Sequence, residues 1–302
     1  MRLSPTAVLK YETCPRQYYF AEGLRIRPVH PAANLVFGRV VHQAIEAWLR
    51  GWLNGRVPDV GARFDRDWTA ARAAGGIDYA ATQSPESLAA TGRALVEQFA
   101  AAWPGFGLRP ALDADGEPLL ERQLEIPLES GLTYVGRFDL AVVDAGGALV
   151  CLDVKTSSGL IDPDWLAGAD PLTGYQLLLD AHAERLGLPP VGRLGLLELV
   201  KRKVTPKGKG PEVRPPLMVA RRGPNDLAAY TQKVLWVAED IDRGRFPKRP
   251  LMAHNSPCGL CAFRRWCQDG DPDGLVMPDA DSPAPAPAAV VPLAPPAPRA
   301  AA

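Results

Sequence analysis

Two aspartates and a lysine near the middle of the chain have the residue types and spacing of a site for a divalent cation. Asp139 follows Gly136-Arg-Phe, and Asp153 stands fourteen positions later with Lys155 just beyond it. Between them, Asp144-Ala-Gly-Gly147 predicts a tight turn that joins two apolar strands. In such a hairpin Asp139 lies opposite Asp153, and side-chain alternation puts Lys155 on the same face.

Converging carboxylates and an amine suit the hydrolysis of a phosphodiester, which needs an oxygen-bound cation, an activated water and an offset to the phosphate charge. We expect Asp139 and Asp153 to hold Mg²⁺ or Mn²⁺, with the carbonyl of Val154 as a backbone ligand. Lys155 would act on the attacking water or on the phosphoryl oxygens. The simpler alternative is an exposed ion pair on a hairpin.

A histidine upstream is a candidate for the same site. The apolar periodicity from Gly38 to Trp52 predicts a helix on which His42 and Glu46 share one face. An imidazole can complete a site for Mn²⁺, although it is unusual for Mg²⁺ alone. Taken by itself, a solvated pair of His42 with Glu46 explains the spacing equally well.

Three of the five cysteines lie close together near the end of the chain, at Cys258, Cys261 and Cys267. Thiolates at such short spacing usually bind a metal. The fourth ligand would come from elsewhere, and Cys14 is favoured because Cys151 lies inside an apolar strand as a small buried residue. Spacing alone fits zinc and an iron–sulfur cluster.

A basic loop between two strands predicted over 194–204 and 213–221 could follow a phosphate backbone. Arg221 and Arg222 follow the second of these strands. A solvated loop is the alternative. The candidate DNA-binding residues are Arg16, Lys201, Arg202, Lys203, Lys207 and Lys209.

The composition of the chain restricts its possible function and location only broadly. The 302 residues have zero formal net charge, so the chain has no overall basic signature for nucleic acid. The N-terminus lacks the apolar segment of a signal peptide, and no apolar run approaches the roughly 18 residues of a membrane span. We therefore expect a cytoplasmic protein, or one in the host cytoplasm if it is encoded by a phage, with no membrane partner.

The order of predicted elements indicates an α/β fold with a small mixed central sheet flanked by helices. Helices are predicted over 5–12, 16–21, 38–52, 60–74, 85–103, 174–186 and 225–243, and strands between 119 and 156. The chain becomes rich in proline and alanine from Ser282, which predicts disorder. We assign residues 1–272 to one folded domain and residues 273–302 to a disordered tail.

Taken in chain order, these motifs resemble the PD-(D/E)XK nucleases of the RecB type. The resemblance is to their iron–sulfur branch, which includes the AddB nuclease domain, CRISPR-adaptation exonucleases and phage relatives, and it spans about residues 1–270. The motifs that carry it are Cys14-Pro-Arg-Gln-Tyr-Tyr-Phe20, Gly38-x3-His42-x3-Glu46, Gly136-x2-Asp139, Asp153-x-Lys155, Gln176, Gly244-Arg-Phe-Pro247 and the three C-terminal cysteines.

The resemblance implies a restriction-endonuclease-like core with helical N-terminal insertions and a metal-dependent deoxyribonuclease. We expect an exonuclease on single-stranded or end-containing DNA. His42, Asp139 and Asp153 would ligate Mg²⁺ or Mn²⁺, Lys155 would be catalytic, and Gln176 would orient Lys155 or DNA. The family often has a tyrosine four residues after this glutamine, where the present chain has Asp180.

The resemblance also selects iron over zinc: a [4Fe–4S] cluster would link the two chain ends. Its ligands would be Cys14, Cys258, Cys261 and Cys267. No G-x4-G-K-[ST] segment occurs, so any DNA unwinding would come from a partner, such as a helicase or a recombination or CRISPR-adaptation complex.

Two other functions compete with an exonuclease. One is a structure-specific endonuclease, and the other is a catalytically silent iron–sulfur scaffold that binds DNA ends. The intact acids and lysine argue against the silent scaffold. A metal-binding transcription regulator is disfavoured because the sequence has no helix-turn-helix pattern.

Overall fold

A computed structural model describes residues 1–202, 210–250 and 256–278. The chain divides into two compact units. Unit 1 contains Met1–His30, Pro127–Tyr134 and the described residues from Thr231 onward, and unit 2 contains Pro31–Ile126 and Val135–Tyr230. Of the tail predicted over 273–302, residues 273–278 are described and include a short strand at Leu275–Val276, whereas residues 279–302 lie outside the described residues.

The described strands are mostly short and belong to two sheets. In chain order they are β1 (Arg2–Leu3), β2 (Arg27–Pro28), β3 (Arg109–Pro110), β4 (Leu120–Pro127), β5 (Thr133–Val143), β6 (Leu149–Ser157), β7 (Arg193–Val200), β8 (Glu212–Val213), β9 (Leu217–Ala220) and β10 (Leu275–Val276).

The helices occupy most of the rest of the described chain. They are α1 (Pro5–Thr13), α2 (Pro15–Tyr18), α3 (Ala33–Leu53), α4 (Val60–Ala73), α5 (Pro85–Ala102), α6 (Pro163–Ala167), α7 (Asp170–Leu186), α8 (Pro224–Asp242) and α9 (Arg264–Asp269). Among the described residues, no helix is both long enough and apolar enough to cross a membrane.

Unit 2 is built on a mixed sheet, as the sequence predicts. β5 pairs with β6 in the antiparallel sense, and β6 pairs with β7 in the parallel sense. β3 and β4 add to β5, while β8 and β9 pair antiparallel with β7. The predicted α/β fold with a mixed central sheet is therefore confirmed.

Helices α3, α4 and α5 form a layer over one face of this sheet. Alternate residues of β6, namely Val150, Leu152 and Val154, join the helices in a single buried core. The close approach of α4 and α5 depends on Gly92, because a Cβ there would lie 2.0 Å from Cζ of the fully buried Phe64. This layer fixes the position of α3, which carries His42.

The hairpin of β5 and β6 forms where the sequence predicts it. Asp144 Oδ1 accepts hydrogen bonds from the amides of Gly146 and Ala148, and Gly147 adopts a φ of +84° that favours glycine. Leu140 pairs with Leu152, so continuation of the register puts the two aspartates opposite each other where the ladder ends.

Unit 1 brings the first thirty residues together with the C-terminal segment. Ser4 caps α1 by accepting a hydrogen bond from the amide of Ala7, as its sequence predicts. β2 pairs antiparallel with β10. A small core of Phe20, Ile26 and Phe263 joins the segment after α2 to the segment before α9.

Several predicted elements have different bounds in the structure, and two of them are instructive. The helix predicted from Gly38 begins five residues earlier, at Ala33. The strand predicted over 213–221 is instead two strands, β8 and β9, separated by Pro215 and Pro216. Proline has no amide hydrogen to donate to a ladder, which explains the interruption.

Candidate functional site

The end of the β5–β6 hairpin carries the predicted acids. Asp139 Oδ2 accepts a hydrogen bond of 2.7 Å from the amide of Val154, so it is the N–H of Val154 that contacts this carboxylate. Lys155 Nζ lies 2.8 Å from the carboxylate of Asp153. Asp153 is buried, whereas about half of the Lys155 side chain is exposed.

Helix α3 brings His42 to the same place. Its Nδ1 lies 3.7 Å from Asp139 Oδ1 and 3.1 Å from Glu121 Oε1. Glu46 pairs with Arg50 instead, at 3.0 Å. The solvated His42–Glu46 pair is therefore not formed, and the imidazole faces the acids.

Glu121 is a member of this site that the sequence reasoning missed. It lies in β4 with a φ of +48°, a left-handed backbone conformation that costs energy for a residue with a side chain. Its second oxygen, Oε2, lies 3.0 Å from Nε of Arg137. An acid directly after two leucines at the start of a strand is the only signal in the sequence that could have indicated it.

The pKa values at the site reflect several close charges. Burial, and after it the charge of Asp153, raises the pKa of Asp139 to about 6. Burial alone would lower the pKa of His42, but its hydrogen bond to Glu121 and the charge of Asp139 outweigh burial and raise it. For Glu121, the bonds to His42 and Arg137 outweigh burial and lower the pKa.

Lys155 remains strongly basic for the same reason. Burial would lower the pKa of its ammonium group, but the charges of Asp153 and Asp139 outweigh that effect and raise the pKa. The lysine therefore stays cationic at neutral pH.

These groups have the geometry of a cation site. Among the described residues, only His42, Glu121 and Asp139 bring three ligand atoms within 4.8 Å of one another. One nitrogen and several carboxylate oxygens suit Mn²⁺. They suit Mg²⁺ less well, because Mg²⁺ prefers oxygen ligands. Asp153 is not one of these three ligands, but its charge acts on Asp139 and its carboxylate pairs with Lys155.

A recess of about 570 Å³ opens beside the acids, and we call it the site recess. Its walls include Leu35, Arg39, His42, Arg137, Lys155 and Lys201. Lys201 donates a hydrogen bond to Asn34 Oδ1 at 3.0 Å, and its ammonium lies 5.5 Å from the centre of the Phe37 ring.

The other residues of the predicted basic loop are described only in part. Arg202 forms an ion pair of 2.7 Å with Glu212. Lys203, Lys207 and Lys209 lie outside the described residues. Arg222, which the sequence suggests as a loop cation, is buried and donates to Thr173 Oγ1 and to a backbone carbonyl, so it does not offer its charge to a phosphate.

The structure does not bring Gln176 to Lys155. The Gln176 side chain is fully buried and exchanges two hydrogen bonds with the backbone of Arg222, at 2.7 and 3.1 Å. Asp180, which replaces the tyrosine often found in the family, accepts from the amide of Val191 at 2.7 Å. Both residues of α7 therefore hold neighbouring chain segments in unit 2.

Four cysteines line one cavity in unit 1, which we call the cysteine cavity. Its volume is about 430 Å³, and its walls include Cys14, Cys258, Cys261, Cys267, Arg16 and Lys248. The fifth cysteine, Cys151, is fully buried in β6, where burial raises the pKa of its thiol. The choice of Cys14 as the companion of the C-terminal cysteines thus agrees with the geometry.

The cysteine cavity contains both thiols and cations. Burial raises the pKa of Cys261 and of Cys267, whereas the charges of Lys248 and Arg16 act in the opposite direction on Cys267. Arg16 was a candidate for DNA contact in the sequence, but here it lies in the wall beside the thiols.

Comparison with known proteins adds one decisive match. A family model described as the PD-(D/E)XK nuclease superfamily matches residues 2–268. A solved structure described as "Crystal structure of SSO0001" is 12% identical, covers 88% of this chain and 85% of that chain, and has a TM-score of 0.36. Comparison with curated proteins gave no match.

The family match spans the hairpin acids, His42 and all four cysteines of the cavity. Its members are metal-dependent nucleases, and the acid site described above has the ligands that such a metal requires. The chain belongs to the PD-(D/E)XK nuclease superfamily.

Proposed function

We propose that this protein is a divalent-metal-dependent exonuclease that hydrolyses single-stranded or end-containing DNA. The observation that carries the proposal is the convergence of His42, Glu121 and Asp139 next to the Asp153–Lys155 pair. No requirement of a buried core explains three carboxylates, an imidazole and an amine at one hairpin end, whereas a cation and a phosphodiester do.

The metal would be held by His42, Asp139 and Asp153, with Glu121 and the carbonyl of Val154 as further ligands. When bound, Mg²⁺ or Mn²⁺ supplies Lewis-acid polarisation and lowers the pKa of a water molecule. The residues fit this role because Asp139 is held by the amide of Val154 through one oxygen, while its other oxygen faces His42. His42 must lose its proton to act as a ligand.

Lys155 is the candidate catalytic lysine, and it would act as a positively charged hydrogen-bond donor. Its ammonium is anchored to Asp153 at 2.8 Å and is half exposed on the side of the site recess. From there it can donate a hydrogen bond to the attacking water or to a phosphoryl oxygen. Either contact offsets negative charge that develops as the phosphodiester is attacked.

The cations that line the site recess support a nucleic-acid substrate. Arg39, Arg137 and Lys201 line it and can contact a phosphate backbone.

Linear and circular single-stranded DNA of the same sequence distinguish an exonuclease from an endonuclease. With Mn²⁺ we expect the linear form to be degraded and the circular form to survive, and EDTA should stop the reaction. Equal cleavage of the circle would identify an endonuclease, and no cleavage of either form would favour the silent scaffold.

We also propose that the cysteine cavity holds a [4Fe–4S] cluster on Cys14, Cys258, Cys261 and Cys267. Tetrahedral zinc would hold its sulfurs about 3.8 Å apart. No three of these four sulfurs lie within 4.8 Å of one another, and the cavity between them is far larger than one ion needs.

Metal analysis tests the cluster directly. Protein purified without oxygen is expected to be brown and to contain about four iron and four sulfide per chain, as a cubane cluster requires. Cys261→Ser should lower both contents together, whereas Cys151→Ser, which changes a thiol outside the cavity, should lower neither. Stoichiometric zinc without iron would contradict the proposal.

A further inference from the structure

We propose that Arg39 and Lys201 bind the phosphates that lie next to the cleaved one, and that the DNA strand leaves the metal site along the N-terminal half of helix α3. This inference rests on the proposed nuclease function and concerns the same recess. It gives a task to two side chains that bind no metal, and it gives the substrate strand a direction.

The face of α3 that borders the site recess is the first observation. The α3 residues in the recess wall include Leu35, Arg39, His42 and Glu46. Their intervals of four, three and four residues put them in one line along the helix, which we call the recess stripe. At a rise of about 1.5 Å per residue, the stripe extends about 10 Å from His42 to Leu35. A stacked strand advances about 3.4 Å per nucleotide, so about three nucleotides can lie along this part of the helix.

The carboxylates in the described wall of the recess, Glu46 and Glu121, already have partners. Glu46 pairs with Arg50 at 3.0 Å, one helical turn beyond His42. Glu121 lies 3.1 Å from His42 and 3.0 Å from Arg137. Both acids and Arg137 are therefore engaged at the proposed metal site or on its far side.

The remaining cations of the wall fall into two kinds. Lys155 pairs with Asp153 at 2.8 Å. Arg39 and Lys201, in contrast, pair with no carboxylate within residues 1–202, 210–250 and 256–278. Two uncompensated cations in one recess attract anions, and a DNA strand supplies a phosphate at every nucleotide.

Lys201 is held in place by neutral groups. Its ammonium donates a hydrogen bond to Asn34 Oδ1 at 3.0 Å, and Gln83 donates to the same oxygen. The ammonium also lies 5.5 Å from the centre of the fully buried Phe37 ring. Burial lowers the pKa of Lys201, as expected for a cation whose charge no neighbouring anion offsets. The ammonium is thus positioned, yet it keeps donors for phosphate oxygens.

The packing of α3 against β6 puts the recess stripe beside the hairpin acids. A Cβ on Gly38 would lie 3.4 Å from Oγ1 of Thr156, so the helix passes next to the residue that follows Lys155. Arg39, the neighbour of Gly38, is therefore close to the end of the strand that carries the proposed catalytic residues.

The two ends of the recess stripe differ, and this difference gives the direction of the strand. On one side of His42, the carboxylate of Glu46 disfavours a phosphate. On the other side lie the exposed Arg39 and then Leu35, whose 73% exposed side chain offers an apolar contact to a sugar or a base. The strand is therefore expected to run from His42 towards Leu35.

Binding of a labelled single-stranded oligonucleotide to the full chain, measured in EDTA to prevent cleavage, tests the two cations. Each phosphate contact to a single strand makes log K fall with log salt by a slope of about 0.7. Arg39→Gln and Lys201→Gln should each reduce the slope by about 0.7, and the double variant by about twice that amount. Arg39→Lys, which keeps the charge, should keep the wild-type slope.

The matched control is Arg66→Gln, which removes an exposed arginine of α4 in the same unit. Arg66 is not part of the recess wall, so its loss should leave both the affinity and the salt slope unchanged. Circular dichroism should show that every variant folds.

Oligonucleotides with a single uncharged methylphosphonate linkage test the position and the direction of the contacts. With Mn²⁺, a neutral linkage one or two positions from the cleaved bond should slow single-turnover cleavage by the wild type severalfold on one side of that bond only. The same linkage should cost the double variant of Arg39 and Lys201 almost nothing further, because the contact is already lost.

A wild-type salt slope in both glutamine variants would overturn this phosphate site while leaving the nuclease itself intact, and so would a neutral-linkage effect that the double variant keeps in full. Wild-type protein that cleaves no DNA would instead refute the proposed function, and with it this inference.

Discussion

Replacing Asp153 by asparagine is expected to lower the rate of Mn²⁺-dependent DNA cleavage by about a thousandfold or more, because metal and charge stabilisation supply several kcal/mol to such reactions. Asp153 is the carboxylate with two tasks: it can bind the cation, and it anchors Lys155 at 2.8 Å. Asparagine has nearly the same shape but no charge, so it serves neither task well.

Single-turnover cleavage of end-labelled single-stranded DNA measures this effect. Asp164→Asn is the matched control, since Asp164 is an exposed aspartate in α6 of the same unit and belongs to neither site. Circular dichroism should show that both variants fold. An Asp153→Asn protein that cleaves at the wild-type rate would remove this residue from the mechanism.

Replacing Asp139 by asparagine should abolish activity and yet stabilise the metal-free protein near neutral pH. The pKa of Asp139 is raised to about 6, first by burial and then by the charge of Asp153, from an ordinary value of about 3.9. The folded state therefore holds this proton more tightly than the unfolded state does. Asparagine can still accept the hydrogen bond that the amide of Val154 donates.

The sign of the pH dependence follows from linkage. A raised pKa in the folded state contributes stability that is fully present below about pH 3.9 and is lost as the pH rises through about 6. Above pH 6 the folded protein carries an unfavourable buried charge, worth up to about 3 kcal/mol if the whole shift is expressed. Asp139→Asn removes that charge.

Thermal melts in EDTA between pH 4 and pH 8 test this prediction. The variant should melt several degrees above the wild type at pH 7–8, and the difference should shrink towards pH 4. Added Mn²⁺ should stabilise the wild type more than the variant, because the variant has lost a ligand. A variant that is less stable than the wild type at pH 8 in EDTA would show that Asp139 has a structural role.

The parts of the site that could be predicted are those set by short-range patterns. The hairpin follows from alternation and a four-residue turn, so the register of Asp139 against Asp153 could be predicted from local sequence. His42 could be predicted because helix periodicity fixes the face on which it lies. The cysteine set was indicated by the close spacing of its C-terminal members.

The residues that the sequence reasoning missed, or to which it gave a different role, depend on long-range contacts or on unusual backbone geometry. Glu121 reaches the site from a residue with a φ of +48°, which breaks the alternation that a strand pattern assumes. The Gln176 side chain is hydrogen-bonded to the backbone of Arg222, forty-six positions away, and no local pattern indicates that pairing. The position of Arg16 in the wall of the cysteine cavity likewise depends on contacts that its neighbours in sequence do not indicate.

The most direct test of the central claim is to see the metal. Crystals grown with Mn²⁺ and measured at its absorption edge should give one anomalous peak within coordination distance of His42, Asp139 and at least one of Asp153 and Glu121. The structure also predicts that this peak disappears in Asp139→Asn. A peak elsewhere in a protein that cleaves DNA, or none under conditions that support cleavage, would contradict the account.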